Sequence, residues 1–400
     1  MMHDSHNIKA FLTVPFIISI IIASVSCRQE SFSPTHSESF IKFFGQSGNN
    51  EGFDVKALDN GGYVMAGTTT TESGTNIILI LTDKYGNETG SSKQFGGPHD
   101  DHAHSVIVLS DGGFAILGST TRERNGVKNM FLIRTDSQGN ELWAKSYGGN
   151  TNEIGYSLAE TRDGGFILLG STEHPGTNHK NIFMVKTFQD GMVDWTRTHG
   201  GFNDDVGFYI AETDYGFIYT GYTHNYAIYP QANSNIFIVK TNFNGIVTSA
   251  ITYGSTGYDY GKSLILHPEG GYIVLGTTSN SSSVKNIYLS RIDENISIPL
   301  WAQSIGGSVN HVAACMKITP EGNYIITGTK ELSEDNHVIF LLKTDTEGNE
   351  IFFETYGGSG LQRAEAVEIA RDGGYIIFGS NKTGGNSMMT LIKTNSNGQL

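Results

Sequence analysis

Apolar residues along this chain come in short runs cut by turns. Between Phe95 and Tyr147 four such runs follow one another: Ser105–Leu109, Gly113–Thr120, Met130–Asp136 and Glu141–Tyr147. Each has the length of a strand, is rich in β-branched and aromatic residues, and is too short for an ordinary helix. The links carry Asp111-Gly112-Gly113 and Ser137-Gln138-Gly139-Asn140. Glycine there supplies the positive φ that tight antiparallel hairpins need. The pattern recurs in seven copies, marked by Gly45, Gly96, Gly148, Gly200, Gly254, Gly306 and Gly357, so the repeat is 51–54 residues long. Four antiparallel strands in a repeat of about 50 residues predict the blade of a β-propeller.

The chain opens with a fragment of a copy and stops short of the same fragment. Phe40-Ile41-Lys42-Phe43-Phe44 aligns with Trp143-Ala144-Lys145-Ser146-Tyr147, the fourth strand of a copy. The last copy stops at Asn397-Gly398-Gln399-Leu400, the turn that leads into a fourth strand. If residues 38–44 pair with Met388–Asn395, seven blades close into a ring that leaves no split open to other chains. The predicted fold is therefore all-β: a seven-bladed β-propeller over residues 38–400, with four antiparallel strands per blade, closed by the N-terminal strand joining the last blade.

Residues 1–37 follow another pattern. Phe11 to Val25 is almost unbroken apolar sequence, preceded by Lys9 and followed by Ser26-Cys27. It is short for a membrane span and suits the apolar core of a secretory signal. Ala23-Ser24-Val25-Ser26-Cys27 resembles a bacterial lipoprotein signal, with Ser24 where that family usually has Leu. The resemblance implies a signal peptide over 1–26, a lipid on Cys27 and a tether through residue 37. It also implies a cell-envelope location, with the outer membrane favoured because Arg28 replaces the Asp that retains some lipoproteins in the inner membrane. The other cysteine, Cys315, is then unpaired and expected to be a small buried residue.

Aligned copies show which positions are structural. The second strand of each copy keeps a glycine: Gly67, Gly118, Gly170, Gly221, Gly276, Gly328 and Gly379. A glycine inside a strand marks a close backbone approach or a bend. Trp143, Trp195 and Trp301 share one fourth-strand column with Phe40 and Phe352, which reads as packing between neighbouring blades. The first strand carries only small residues at Gly52, Ala103, Gly155, Gly207, Gly261, Ala313 and Ala364, as expected of side chains facing a narrow axis. Two residues earlier, on the same face by the period of two, stand Asn50, Asp101, Glu153, Asp205, Asp259, His311 and Gln362. This column is the candidate binding ring at the channel mouth. Its structural alternative is that the carboxylates accept hydrogen bonds from the N–H groups of the Gly-Gly links. A hard cation such as calcium is the one cofactor the ring would suit; otherwise no cofactor constellation is found.

Two further candidates are local. His99, His102 and His104 carry a ligand chemistry suited to zinc, but they occur in one copy and a solvated loop is the plainer reading. The link after the second strand is longest in the fourth copy, THNYAIYPQANS, with Tyr222, Tyr226 and Tyr229 in or beside it as a candidate binding loop. A third-strand column, Arg134, Lys186, Lys240, Arg291, Lys343 and Lys393, places positive charge where it would discourage edge pairing.

The chain has 26 Lys and Arg against 40 Asp and Glu, for a net charge of −14. Loss of residues 1–26 removes only Asp4 and Lys9 and leaves that value unchanged. Such a balance excludes a nucleic-acid partner and makes a tether, rather than adhesion to anionic lipid, the route to a membrane.

The repeat resembles the β-propeller repeats of many bacterial secreted proteins and lipoproteins. The resemblance rests on Gly96-Gly97, Asp101, Ala103, Asp111-Gly112-Gly113-Phe114, Gly118-Ser119-Thr120 and Arg134-Thr135-Asp136 with Gly139-Asn140. The fifth copy departs from it, since Asp293 to Pro299 lacks the turn glycine. It implies a fold and an extracytoplasmic setting and no single activity. The expected function is a non-enzymatic, monomeric envelope module that presents one face to a protein or glycan partner. The alternative is a carbohydrate-active or quinoprotein-like enzyme using the acidic channel mouth; no nucleophile–base set stands out to support it.

Overall fold

The computed structural model describes residues 39–122, 126–177, 179–225, 233–279 and 283–400. The signal, Cys27, the tether, Tyr226 and Tyr229 lie outside the described residues. Twenty-eight strands and no helix occur among the described residues. They form five four-stranded antiparallel sheets and one sheet of eight. The second copy shows the pattern: Asp101–Val108, Phe114–Thr120, Asn129–Thr135 and Glu141–Tyr147 pair in order. The eight-stranded sheet holds two such sets, joined by the parallel pairs Asn336↔Gly360 and His337↔Leu361.

Phe40–Phe44 pairs antiparallel with the last strand, Asn386–Thr394, in the register Phe40↔Lys393 to Phe44↔Met389. The first and last strands of the described residues thus share one sheet.

Second and third strands are buried on both faces, which is why they read as continuous apolar runs rather than alternating ones. Alternate residues serve opposite neighbours. Val64 and Ala66 pack with Val106, Phe114 and Ile116 of the second copy. Tyr63 and Met65 pack with Phe378, Met389 and Leu391 of the last. Every pair of consecutive copies shares one such apolar cluster, and so do the last and the first.

In five copies a fourth-strand aromatic packs against the glycine turn of the next copy. A Cβ added at Gly191 would meet Trp143 at 2.7 Å, one at Gly245 Trp195 at 2.6 Å, and one at Gly348 Trp301 at 2.9 Å. Phe352 covers Gly398 in the same way, and Phe40 covers Gly86 of the first copy. Each indole also meets the aromatic near the start of the next copy's second strand, as Trp143 meets Phe166 at 6.0 Å, Trp195 Phe217 at 6.1 Å and Trp301 Tyr324 at 6.1 Å. The tyrosine ending the fourth strand adds a hydrogen bond, Tyr147 Oη donating to the Gly191 carbonyl at 2.8 Å.

The third-strand cations do not guard an edge, because the fourth strand covers the third. Lys186 and Lys393 are buried and reach back to the Asp-Gly-Gly turn of their own sheet, Lys186 Nζ lying 2.8 Å from Asp163 and Lys393 Nζ 2.8 Å from Asp372. Arg134 pairs with Asp111 in the same way. Burial alone would raise the Asp163 carboxyl, but hydrogen bonds from Lys186, Thr161 and the Gly165 N–H outweigh it and lower the pKa to about 2.

Candidate functional site

One irregularity recurs in all seven first strands. Pairing with the second strand shifts register between Gly52 and Asp54, Ala103 and Ser105, Gly155 and Ser157, and Gly207 and Tyr209. It shifts again between Gly261 and Ser263, Ala313 and Cys315, and Ala364 and Ala366. One residue per copy is therefore bulged, and a bulge re-aims its side chain. The second-strand glycine makes room for it. A Cβ on Gly170 would lie 1.8 Å from the Ile154 carbonyl oxygen, and one on Gly118 would lie 1.7 Å from that of His102.

The bulged residues are Phe53, His104, Tyr156, Phe208, Lys262, Ala314 and Glu365. All seven line a cavity of about 820 Å³ to which every first strand contributes. Four form a continuous aromatic arc. Ring centroids of Phe53 and His104 are 5.3 Å apart, those of His104 and Tyr156 5.2 Å, and those of Tyr156 and Phe208 5.3 Å. The planes are tilted by 55–68°, the edge-to-face arrangement that ring quadrupoles favour. Tyr222 of the candidate loop extends the arc, 5.8 Å from Phe208 and 5.1 Å from Tyr260. Burial drives the His104 pKa down to about 3, helped by the charges of His102, Lys128 and Arg363. At neutral pH the ring is therefore an uncharged aromatic like its neighbours.

The opposite side is charged. Lys262 lies over the Phe208 ring, its Nζ 3.9 Å from the centroid. Glu365 pairs with Arg363. Deeper in, Asp54 pairs with Lys56 and accepts the Val106 N–H at 2.9 Å, and Lys317 pairs with Glu368 at 2.5 Å. Tyr209 reaches the same level, where burial raises its pKa and Lys317 opposes the rise.

The column expected to ring the mouth is placed elsewhere. Asn50, Asp101, Asp205 and Asp259 are fully buried, Glu153, His311 and Gln362 nearly so, and none lines the cavity. Their side chains turn back onto the link that precedes the strand. Glu153 accepts the Gly149 N–H at 3.1 Å, Asp205 the Gly201 N–H at 3.0 Å and Asp259 the Ser255 N–H at 2.6 Å. Asn50 donates to the Gln46 carbonyl at 2.8 Å, and His311 Nδ1 lies 2.9 Å from the Val309 carbonyl. Asp101 is the exception, with neither oxygen paired among the described residues. Burial raises the Asp205 and Asp259 carboxyls against these hydrogen bonds.

The small-residue column does not face the axis either. A Cβ on Gly155 would meet Leu117 at 2.7 Å, and one on Gly207 would meet Leu169 at 2.7 Å, so these positions seat the second strand of the preceding sheet. Strict alternation fails at the bulge: the residue after the small one, not the small one, looks inward. The signal was present in the sequence. The position after the small residue varies in chemistry from copy to copy, as a site would, while its neighbour does not.

His102 and His104 part at the same bulge. His102 Nε2 lies 3.4 Å from the Thr75 hydroxyl, while His104 sits in the arc. No group of three or more His, Cys, Asp or Glu side chains that could hold a metal occurs among the described residues. Cys315 has no disulfide partner among the described residues and is only partly buried; its Sγ lies 3.9 Å from the Val367 carbonyl.

No family model matches the chain. It is 27% identical over 133 residues to the regulatory protein FlaEY of Caulobacter vibrioides, a span covering 29% of this chain and 14% of that protein. Among solved structures it is similar to a puromycin hydrolase mutant complexed with PGG, with a TM-score of 0.46 and 11% identity over 84% of this chain and 59% of that one. It is also similar to an acylaminoacyl peptidase of Pyrococcus horikoshii, with a TM-score of 0.48 and 11% identity over 87% of this chain and 52% of that one. The chain thus spans less than two thirds of each of these relatives.

Proposed function

We propose that residues 38–400 are a closed seven-bladed β-propeller serving as a non-enzymatic binding module of the bacterial cell envelope, with the first-strand cavity as its ligand site. Closure is supported by the pairing of Phe40–Phe44 with the last strand, by the apolar cluster shared between the last and first copies and by Phe40 over Gly86. The observation that carries the binding role is the bulge in every first strand, which delivers seven chemically different side chains into one cavity. Its volume falls in the range of about 300–1,000 Å³ that small ligands occupy.

Binding is favoured over catalysis by the state of the acids that line it. Asp54 and Glu365 are each ion-paired, Glu160 accepts the Ser110 N–H at 2.8 Å, and Glu212 accepts the Arg162 N–H at 2.9 Å. A general acid or base needs a proton site that a substrate can reach. The test is a glycan and peptide array probed with tagged full-length protein and with a Phe53→Ala/Tyr156→Ala variant. Loss of binding in the variant at unchanged thermal stability is the expected result. Binding that survives both substitutions would remove the cavity from consideration. Turnover of a captured ligand would replace the binding role with an enzymatic one.

A further inference from the structure

We infer that the cavity recognises a singly charged acidic sugar, a uronate ring whose carboxylate lies on Lys262 and whose C–H face lies against the aromatic arc. This rests on the cavity being the ligand site. Among charged side chains of the lining, Lys262 is the one left without a polar partner. Asp54 has Lys56, Lys317 has Glu368, Glu365 has Arg363, and Glu160 and Glu212 hold backbone N–H groups of neighbouring sheets. Lys262 makes no hydrogen bond or ion pair among the described residues and rests only on the face of Phe208. A partly buried ammonium with a ring as sole partner gains when an anion reaches it. Burial lowers its pKa, with Glu365 opposing the fall, and a carboxylate at Nζ would hold the charged form.

Charge balance narrows the anion. Lys262 together with the Arg363–Glu365 pair sums to one positive charge. A carboxylate matches that, whereas a phosphate monoester brings about 1.5 to 2 negative charges beside Glu365. The arc narrows the rest. Phe53, His104, Tyr156 and Phe208 present uncharged rings from four consecutive copies. They suit a ring with an apolar face and offer the N–H groups of a peptide few acceptors, the Tyr156 hydroxyl and one ring nitrogen of neutral His104. A sugar keeps its hydroxyls towards the open mouth, where water satisfies them.

The experiment is calorimetric titration of the full-length protein with the singly charged methyl galacturonoside, the neutral methyl galactoside, a sugar phosphate and a short peptide with a free C-terminus. The galacturonoside is expected to bind, the neutral sugar roughly tenfold more weakly, in line with loss of one hydrogen bond to a charged group. Lys262→Met, which keeps the stem on Phe208, should cost the same factor for the galacturonoside and nothing for the neutral sugar. Lys262→Arg should retain most of the affinity. Equal binding of neutral and acidic sugars, or stronger binding of the phosphate or the peptide, overturns the inference. If a probe still binds and Phe53→Ala/Tyr156→Ala abolishes it, the ligand site survives that failure. If binding persists in both Lys262→Met and Phe53→Ala/Tyr156→Ala, the ligand site itself is refuted.

Discussion

His104 shows how far a single side chain can be moved from its ordinary behaviour by its neighbours. Packed between Phe53 and Tyr156, it stays neutral where an unfolded chain would protonate it. Its folded pKa is depressed from 6.5 to about 3. Between these values the unfolded state binds more protons than the folded one, so stability rises with pH across that window and is lost as pH falls through it. His104→Phe should remove this dependence. We expect the melting temperature of the variant to fall less than that of the wild type between pH 7 and pH 4, as followed by circular dichroism. Parallel curves for the two proteins would mean that His104 is solvated in the native state.

At the scale of the element, the N-terminal strand carries more than its length suggests. Phe40–Phe44 completes the last sheet and sets Phe40 on Gly86 of the first. Removing residues 38–44 exposes the edge at Asn386–Thr394 and uncovers part of the shared cluster of Phe44, Met65 and Phe378. Removing residues 28–34, an equal length of the proposed tether, is the control. The first deletion should lower the melting temperature markedly and the second hardly at all; equal effects would count against closure. Strand order was readable beforehand because both-face burial, Gly-Gly turns and the second-strand glycine leave plain marks. Even the reason for that glycine, a close backbone approach, could be read from Gly118 or Gly170 alone. What it approaches could not. A bulge adds no residue type of its own; it changes only which way the chain faces. Alternation therefore carried the reading from Asn50 to Gly52 and stopped one residue short of Phe53. The third-strand cations failed to reveal their role for a related reason. Lys186 and Asp163 lie far apart along the chain, and only the hairpin brings them together.

For the whole molecule, the open question is where the body is held. The acidic net charge of −14 makes direct adhesion to anionic lipid unfavourable. We propose that any membrane attachment falls to the segment before the body, with Cys27 as the acylation site. Cys27→Ser should move the protein from the membrane pellet to the soluble fraction without changing its melting temperature, and mass analysis of wild-type protein should show acyl chains on the N-terminal peptide. A soluble wild type would refute the anchor and leave the body as described.

The bulges separate two demands that usually compete for the same residue. Gly155 and Gly207 are held by neighbouring backbone and side chains and cannot change without displacing them. Tyr156 and Phe208, one step along, answer to the cavity. If the cavity binds a ligand as proposed, recognition is written one letter per repeat, and each letter can be exchanged without rewriting the scaffold that displays it. A lineage carrying this frame could acquire a new ligand by a handful of point changes at seven addresses, and an engineer could vary the same seven as a compact library.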